Sequence, residues 1–115
     1  MLRKALHYVK NKERARVVIT EKVKKYNETY QYRLGRISIR NQKTRWGSCS
    51  KSGNLNFNYK ILLLPEQLAD YIVVHELCHL KELNHSQKFW NLVAKVFAGY
   101  KDMKRELKRR DLRLS

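Results

Sequence analysis

Three of the four histidines fall within eleven residues, as His75-Glu76-Leu77-Cys78-His79 and then His85. On a helix, positions i and i+4 lie about 40° apart around the axis and about 6 Å apart along it, so two imidazoles can converge on one metal ion. Glu76, beside the first of them, can reach a water at such an ion without ligating it. The chemistry this spacing suggests is metal-assisted hydrolysis. A catalytic zinc usually takes three protein ligands, so one more must come from elsewhere. On a continuous helix His85 would lie about 120° off the face and about 9 Å further on, and it joins only if the helix breaks first. Asn84 as a left-handed stop and Ser86 as the cap of a following helix would supply that break. Other donors stay open at this point. Glu82 follows His79 by three on the same face but sits about 7.5 Å along the axis beyond the midpoint of the two histidines. Asp102 and Glu106 are further acidic candidates, and Cys49 or Cys78 could close a structural site. Cys78 points about 60° from His75 and about 100° from His79, and it reads better as a small buried hydrophobe.

Several elements must position these groups. A helix is expected from Pro65, with Glu66 in its first turn and an apolar face of Leu68, Ile72, Val73, Leu77 and Leu80. A backing helix should run from Ser86 to about Ala98 and stop at Gly99, with Phe89, Trp90, Val93 and Phe97 as a packed face. Upstream the period changes to two. Strands are expected at about 35–40, 44–50 and 54–60, with turn chemistry at Lys51-Ser52-Gly53-Asn54, which gives a small three-stranded antiparallel sheet. Residues 1–25 lack Gly and Pro, and Leu2, Leu6, Val9, Val18, Ile19 and Val23 recur at loosely helical spacing, so one or two helices are expected. Trp46 reads first as a core residue of its strand. In a second reading it lines a substrate cleft with Arg45, where Gly47 allows a peptide main chain to approach the strand edge. The class is α+β.

Composition bounds the function. The chain has 115 residues, enough for one domain, and 26 Lys and Arg against 10 Asp and Glu give +16. The excess is uneven: residues 61–100, which hold every histidine except His7, carry a net −1. The single domain (1–115) thus divides into a basic helical start (1–25), a sheet (26–60), metal-site helices (65–98) and a basic tail (99–115). Such charge also fits contact with nucleic acid, and it keeps two other functions open: a metal-dependent nucleotide or phosphoester hydrolase, and a basic nucleic-acid-binding module with a structural metal. No apolar run approaches the ~18 residues of a membrane span. The basic start is not followed by an apolar signal core, and two cysteines are ordinary for a reducing compartment, so a cytoplasmic protein is expected.

Five blocks together resemble the YgjP-like metallopeptidase family: Arg36-Ile37-Ser38-Ile39-Arg40, Gln42-Lys43-Thr44-Arg45-Trp46-Gly47-Ser48-Cys49, Gly53-Asn54-Leu55-Asn56-Phe57-Asn58, Val73-Val74-His75-Glu76-Leu77-Cys78-His79-Leu80 and Asn84-His85-Ser86-Gln87-Lys88-Phe89-Trp90. The resemblance spans about residues 15–98, and the short length is most similar to that of the soluble archaeal minigluzincins. It implies a zincin-like minimal catalytic domain with an N-terminal helix, a small sheet, an HExxH active-site helix and a backing helix. It further implies one Zn2+ held by His75, His79 and His85, Glu76 as general base, and a peptide or protein substrate. Bacterial relatives have a longer N-terminal region, and the basic tail is this chain's own. Minigluzincins are latent proteases, so the resemblance makes the tail a candidate blocker of its own or a neighbouring active site. A chain-end carboxylate at Ser115 would be a suitable zinc ligand for that purpose.

Overall fold

The glycine-free and proline-free start forms one helix, α1 (Leu2–Tyr30), rather than two, and it runs beyond the expected end at residue 25. The computed structural model describes residues 2–110 and 112, with backbone alone for Leu2 and Lys4; the chain end at Ser115 lies outside the described residues. Helix α1 buries Ala15, Ile19 and Val23, one per turn, with Tyr8, Tyr26 and Tyr30 packed on the same core. Leu6 and Val9 do not belong to this face, being 58% and 70% exposed. The face rotates toward Tyr8, whose hydroxyl donates to Ile39 O at 3.2 Å and whose ring meets Tyr59 edge-on. The helix stops at Gln31, with φ of 57°. Asn27 fixes this stop by bonding both backbone groups of Tyr32, each at 2.9 Å.

The sheet comprises β1 (Ile37–Arg40), β2 (Gly47–Cys49) and β3 (Leu55–Asn58), in the order β1-β3-β2. It is mixed rather than wholly antiparallel: β3 pairs parallel with β1 and antiparallel with β2. Strand direction alternates along the chain as expected, but the third strand inserts between the first two. Burial explains its central place, since Leu55, Phe57 and Asn58 are all buried. The β2–β3 turn uses Gly53 at φ 90°, a conformation natural to glycine. The crossover loop from β1 to β2 is held by the buried Asn58 amide, which donates to Gln42 O at 2.7 Å and to Arg45 O at 3.0 Å. Asn58 Oδ1 accepts from Lys60 N, capping the 3-10 turn Tyr59–Leu63.

Pro65 precedes helix α2 (Glu66–Cys78), which is buried around almost its whole circumference from Tyr71 onward. Against α1 it is clamped by polar groups: Lys22 Nζ lies 2.6 Å from Asp70 Oδ1, and Tyr26 OH donates to Asp70 Oδ2 at 2.8 Å. Burial works against the Lys22 charge, but Asp70 and Glu66 outweigh it and hold the ammonium above the usual lysine range. Ser86 occupies the N-cap position of helix α3 (Gln87–Ala94), though its side chain makes no capping bond. Helix α3 ends before the expected Ala98, and Gly99 stands instead at the start of helix α4 (Tyr100–Lys108). The basic tail is therefore helical over most of its described length, and Leu107 anchors it in the core. Among the described residues, no helix is long and apolar enough to cross a membrane.

Candidate metal centre

His75 and His79 lie one turn apart at the end of α2, and both are buried. Their Nε2 atoms are 3.2 Å apart. His85 Nε2 completes a triangle, 3.0 Å from that of His79 and 3.3 Å from that of His75. His85 is the exposed corner. Two nitrogens ~2.0–2.1 Å from one tetrahedral zinc lie about 3.3 Å apart, so the triangle fits such an ion. The tautomer of His79 fits as well. Its Nδ1 lies 3.0 Å from the Glu82 carbonyl oxygen, which can only accept, so Nδ1 carries the proton and Nε2 keeps its lone pair for a ligand bond.

The return of the chain to His85 needs no left-handed residue. Asn84 is not one, because Gln31 alone among the described non-glycine residues has positive φ. The helix instead tightens from its last turn, with Leu80 N bonded to Leu77 O and Lys81 N to Cys78 O. Among the described residues, the metal-capable group comprises His75, His79 and His85. Glu82 thus contributes its backbone carbonyl to His79 while its carboxylate stays outside that group. Asp102 pairs with Arg105 on α4, and Glu106 with Arg109 and Arg110 just beyond its end. Cys78 is buried in the core, and Cys49 is half-buried on β2.

Glu76 is fully buried and lies against β2. A Cβ placed on Gly47 would come within 3.2 Å of Glu76 Cγ and 3.0 Å of Asn56 O. The close approach that Gly47 permits is therefore made by this carboxylate side chain. Burial and the nearby Glu76 charge push the Cys49 thiol up to about 11, which keeps it neutral. Aromatic rings brace the imidazoles. Phe89 stacks on His79 at 4.4 Å and meets His75 and His85 edge-on, while Trp90 stacks on His85 at 5.8 Å. Sequence reading placed Phe89 and Trp90 only on a packed face. Their spacing of ten or more residues from two of the histidines gives no local signal of ring contact.

A match to the family described as YgjP-like, metallopeptidase domain, spans residues 1–110. The chain belongs to the YgjP-like metallopeptidase family. Two solved structures similar to this YgjP-like chain are archaeal metallopeptidase zymogens. That of Pyrococcus abyssi abylysin is 28% identical, with a TM-score of 0.74 over 84% of this chain and 99% of that one. That of Methanocaldococcus jannaschii jannalysin is 26% identical, with a TM-score of 0.69 over 79% of this chain and 94% of that one. No curated protein matches the sequence. The α+β zincin-like architecture expected for the YgjP-like family is thus present, with a mixed sheet in place of the antiparallel one expected. Of the two residues weighed for substrate contact, Trp46 is 6% exposed, as a core side chain is. Arg45 is exposed, two residues ahead of β2.

Proposed function

We propose that the chain is a single-domain zinc peptidase in which His75, His79 and His85 hold one Zn2+ and Glu76 is the general base. One observation carries this reading: three Nε2 atoms converge at 3.0–3.3 Å, and the Glu76 side chain next to them in sequence is buried against Gly47 of β2. When bound, the ion supplies Lewis acidity, polarising a scissile carbonyl and making water acidic enough to ionise near neutral pH. Glu76 accepts the proton of the attacking water at its carboxylate and returns it to the leaving amine. Family membership and the similarity to metallopeptidase zymogens favour peptide or protein substrates. So does the sheet, because β2 is an edge strand among the described residues and can pair main chain to main chain with an extended peptide.

Latency through the basic tail belongs to the same proposal. Helix α4 begins at Tyr100, which stacks on Trp90 at 4.8 Å, and Trp90 stacks in turn on His85. The tail therefore starts beside the exposed corner of the centre. Free Cys49 and Cys78 fit a reducing compartment, and we place the protein in the cytoplasm on that ground. The reading is tested by Glu76→Gln. Metal content by elemental analysis should stay unchanged while peptide hydrolysis falls about 10²- to 10⁴-fold. Undiminished hydrolysis with metal retained would remove Glu76 from the mechanism, and full metal content in His85→Ala would remove His85 from the ligand set.

A further inference from the structure

We infer that the groove between Trp90 and α4 is a subsite for an acidic side chain of the substrate, with Lys104 as its specificity-determining residue. This deepens the peptidase reading and rests on it. The groove has a volume of about 390 Å³ and is lined by Trp90, Tyr100, Lys101, Lys104, Arg105 and Lys108. Its aromatic wall is made of two half-buried rings, Trp90 and Tyr100, stacked at 4.8 Å with 12° between their planes. The Lys104 ammonium is turned toward that wall, with Nζ 4.7 Å from the Trp90 ring centroid. A contact therefore fixes where this charge points.

Lys104 is also open to a carboxylate. The residues three and four places from it are Tyr100, Lys101, Leu107 and Lys108, so its own helix offers no acid at pairing distance. Among the described residues, the ion pairs around α4 all use arginines: Arg105 takes Asp102 at 3.5 Å, and Arg109 and Arg110 share Glu106. An entering carboxylate thus gains a charged partner at Lys104 without breaking an existing pair. Position ties the groove to the chemistry. Trp90 stacks on His85 at 5.8 Å, and His85 is the exposed corner of the candidate centre. The steps from His85 to Trp90 and from Trp90 to Lys104 together cover no more than about three residues of extended chain. The acidic side chain therefore belongs to a residue close to the bond that is cut. Stacking argues against a nucleobase. The Trp90 ring already carries His85, Tyr100 and Lys104, so a base cannot stack there without displacing one of them.

The experiment takes the full chain and sets of three peptides, identical except for glutamate, glutamine or lysine at one position within about three residues of the scissile bond. At one such position kcat/KM for glutamate should exceed that for glutamine about tenfold, as one charged hydrogen bond would give, with lysine the poorest. Lys104→Glu should invert the order and make lysine the best, which lost packing alone would not do. Lys104→Ser, expected to bring glutamate and glutamine level, serves where Lys104→Glu fails to fold. Binding is followed separately through the ¹⁵N indole signal of Trp90, assigned with Trp90→Phe. The glutamate peptide should shift that signal and saturate at lower concentration than the glutamine peptide. Cleavage with equal rates for glutamate and glutamine at every position, or a preference unmoved by the Lys104 changes, overturns the inference and leaves the peptidase reading intact. If no peptide is cut while the Trp90 signal still follows glutamate, the peptidase reading fails and the groove stands as an acidic-peptide site. Neither cleavage nor a shift overturns both. A single-stranded oligonucleotide that displaces the glutamate peptide from the Trp90 signal at lower concentration overturns the inference as well.

Discussion

Single side chains set the tolerances of this centre. His79 is aligned by one carbonyl, that of Glu82, and Glu76 is aligned by the missing side chain of Gly47. The second dependence is the sharper, because backbone and a fully buried residue surround the position. In Gly47→Ala the new Cβ would lie 3.0 Å from Asn56 O and 3.2 Å from Glu76 Cγ, both tighter than ordinary packing. Either β2 shifts or Glu76 turns. The expected cost is about 1–3 kcal/mol in urea unfolding, the range for overpacking a filled site. Peptide hydrolysis should fall while metal content holds, since the atoms nearest the new Cβ belong to Asn56 and Glu76 rather than to a histidine. A variant as stable and as active as the parent would show that the strand yields freely. His75, Glu76 and His79 were legible as candidates because their spacing is local and helical, and His85 because a break in the helix could return it to the other two. Gly47 was legible as a place of close approach, but not as the seat of Glu76. That contact joins residues far apart in the chain, and no periodicity reports it.

At the level of elements, the same division between local and distant information recurs. Helix α2, the restart at Ser86 and the Gly53 turn follow from short-range rules of capping, period and backbone freedom. Strand order does not. Alternation of Ile37 and Ile39, and of Leu55 and Phe57, fixes which faces are inward but not which strand takes the middle. Asn58 helps decide that, by pinning the loop that carries the chain across to β2. The break after α2 was expected for a reason that proved different: hydrogen bonds of the last turn replace a left-handed asparagine. The Asn58 role is open to test. Asn58→Ala leaves Gln42 O, Arg45 O and Lys60 N, all in part-buried bonds, without their side-chain partner, and each hydrogen bond so lost costs about 0.5–1.5 kcal/mol. Unfolding free energy should drop by about 2–4 kcal/mol, and amide exchange in residues 41–46 should accelerate. A drop under about 1 kcal/mol would mean that the loop is held by other contacts.

Over the whole molecule, charge and core are separate systems. The +16 chain keeps its basic excess outside residues 61–100, so the candidate centre forms in a near-neutral segment framed by cationic ones. The tail takes part in both systems: Leu107 packs in the core while lysines and arginines around it face outward. Ending the chain after Arg110 keeps that anchor and removes only residues 111–115. If the tail enforces latency through its end, hydrolysis of a test peptide should rise several-fold with the unfolding midpoint nearly unchanged. An equal rate in both proteins would place any restraint elsewhere. The continuous ring stack from His85 through Trp90 to Tyr100 has one more consequence. Light emission from an indole responds to whatever its π-face touches, and Trp90 touches a corner of the centre at one side and the first residue of α4 at the other. The molecule thus carries a built-in optical gauge, readable without a dye, at the junction between its chemistry and the segment proposed to restrain it.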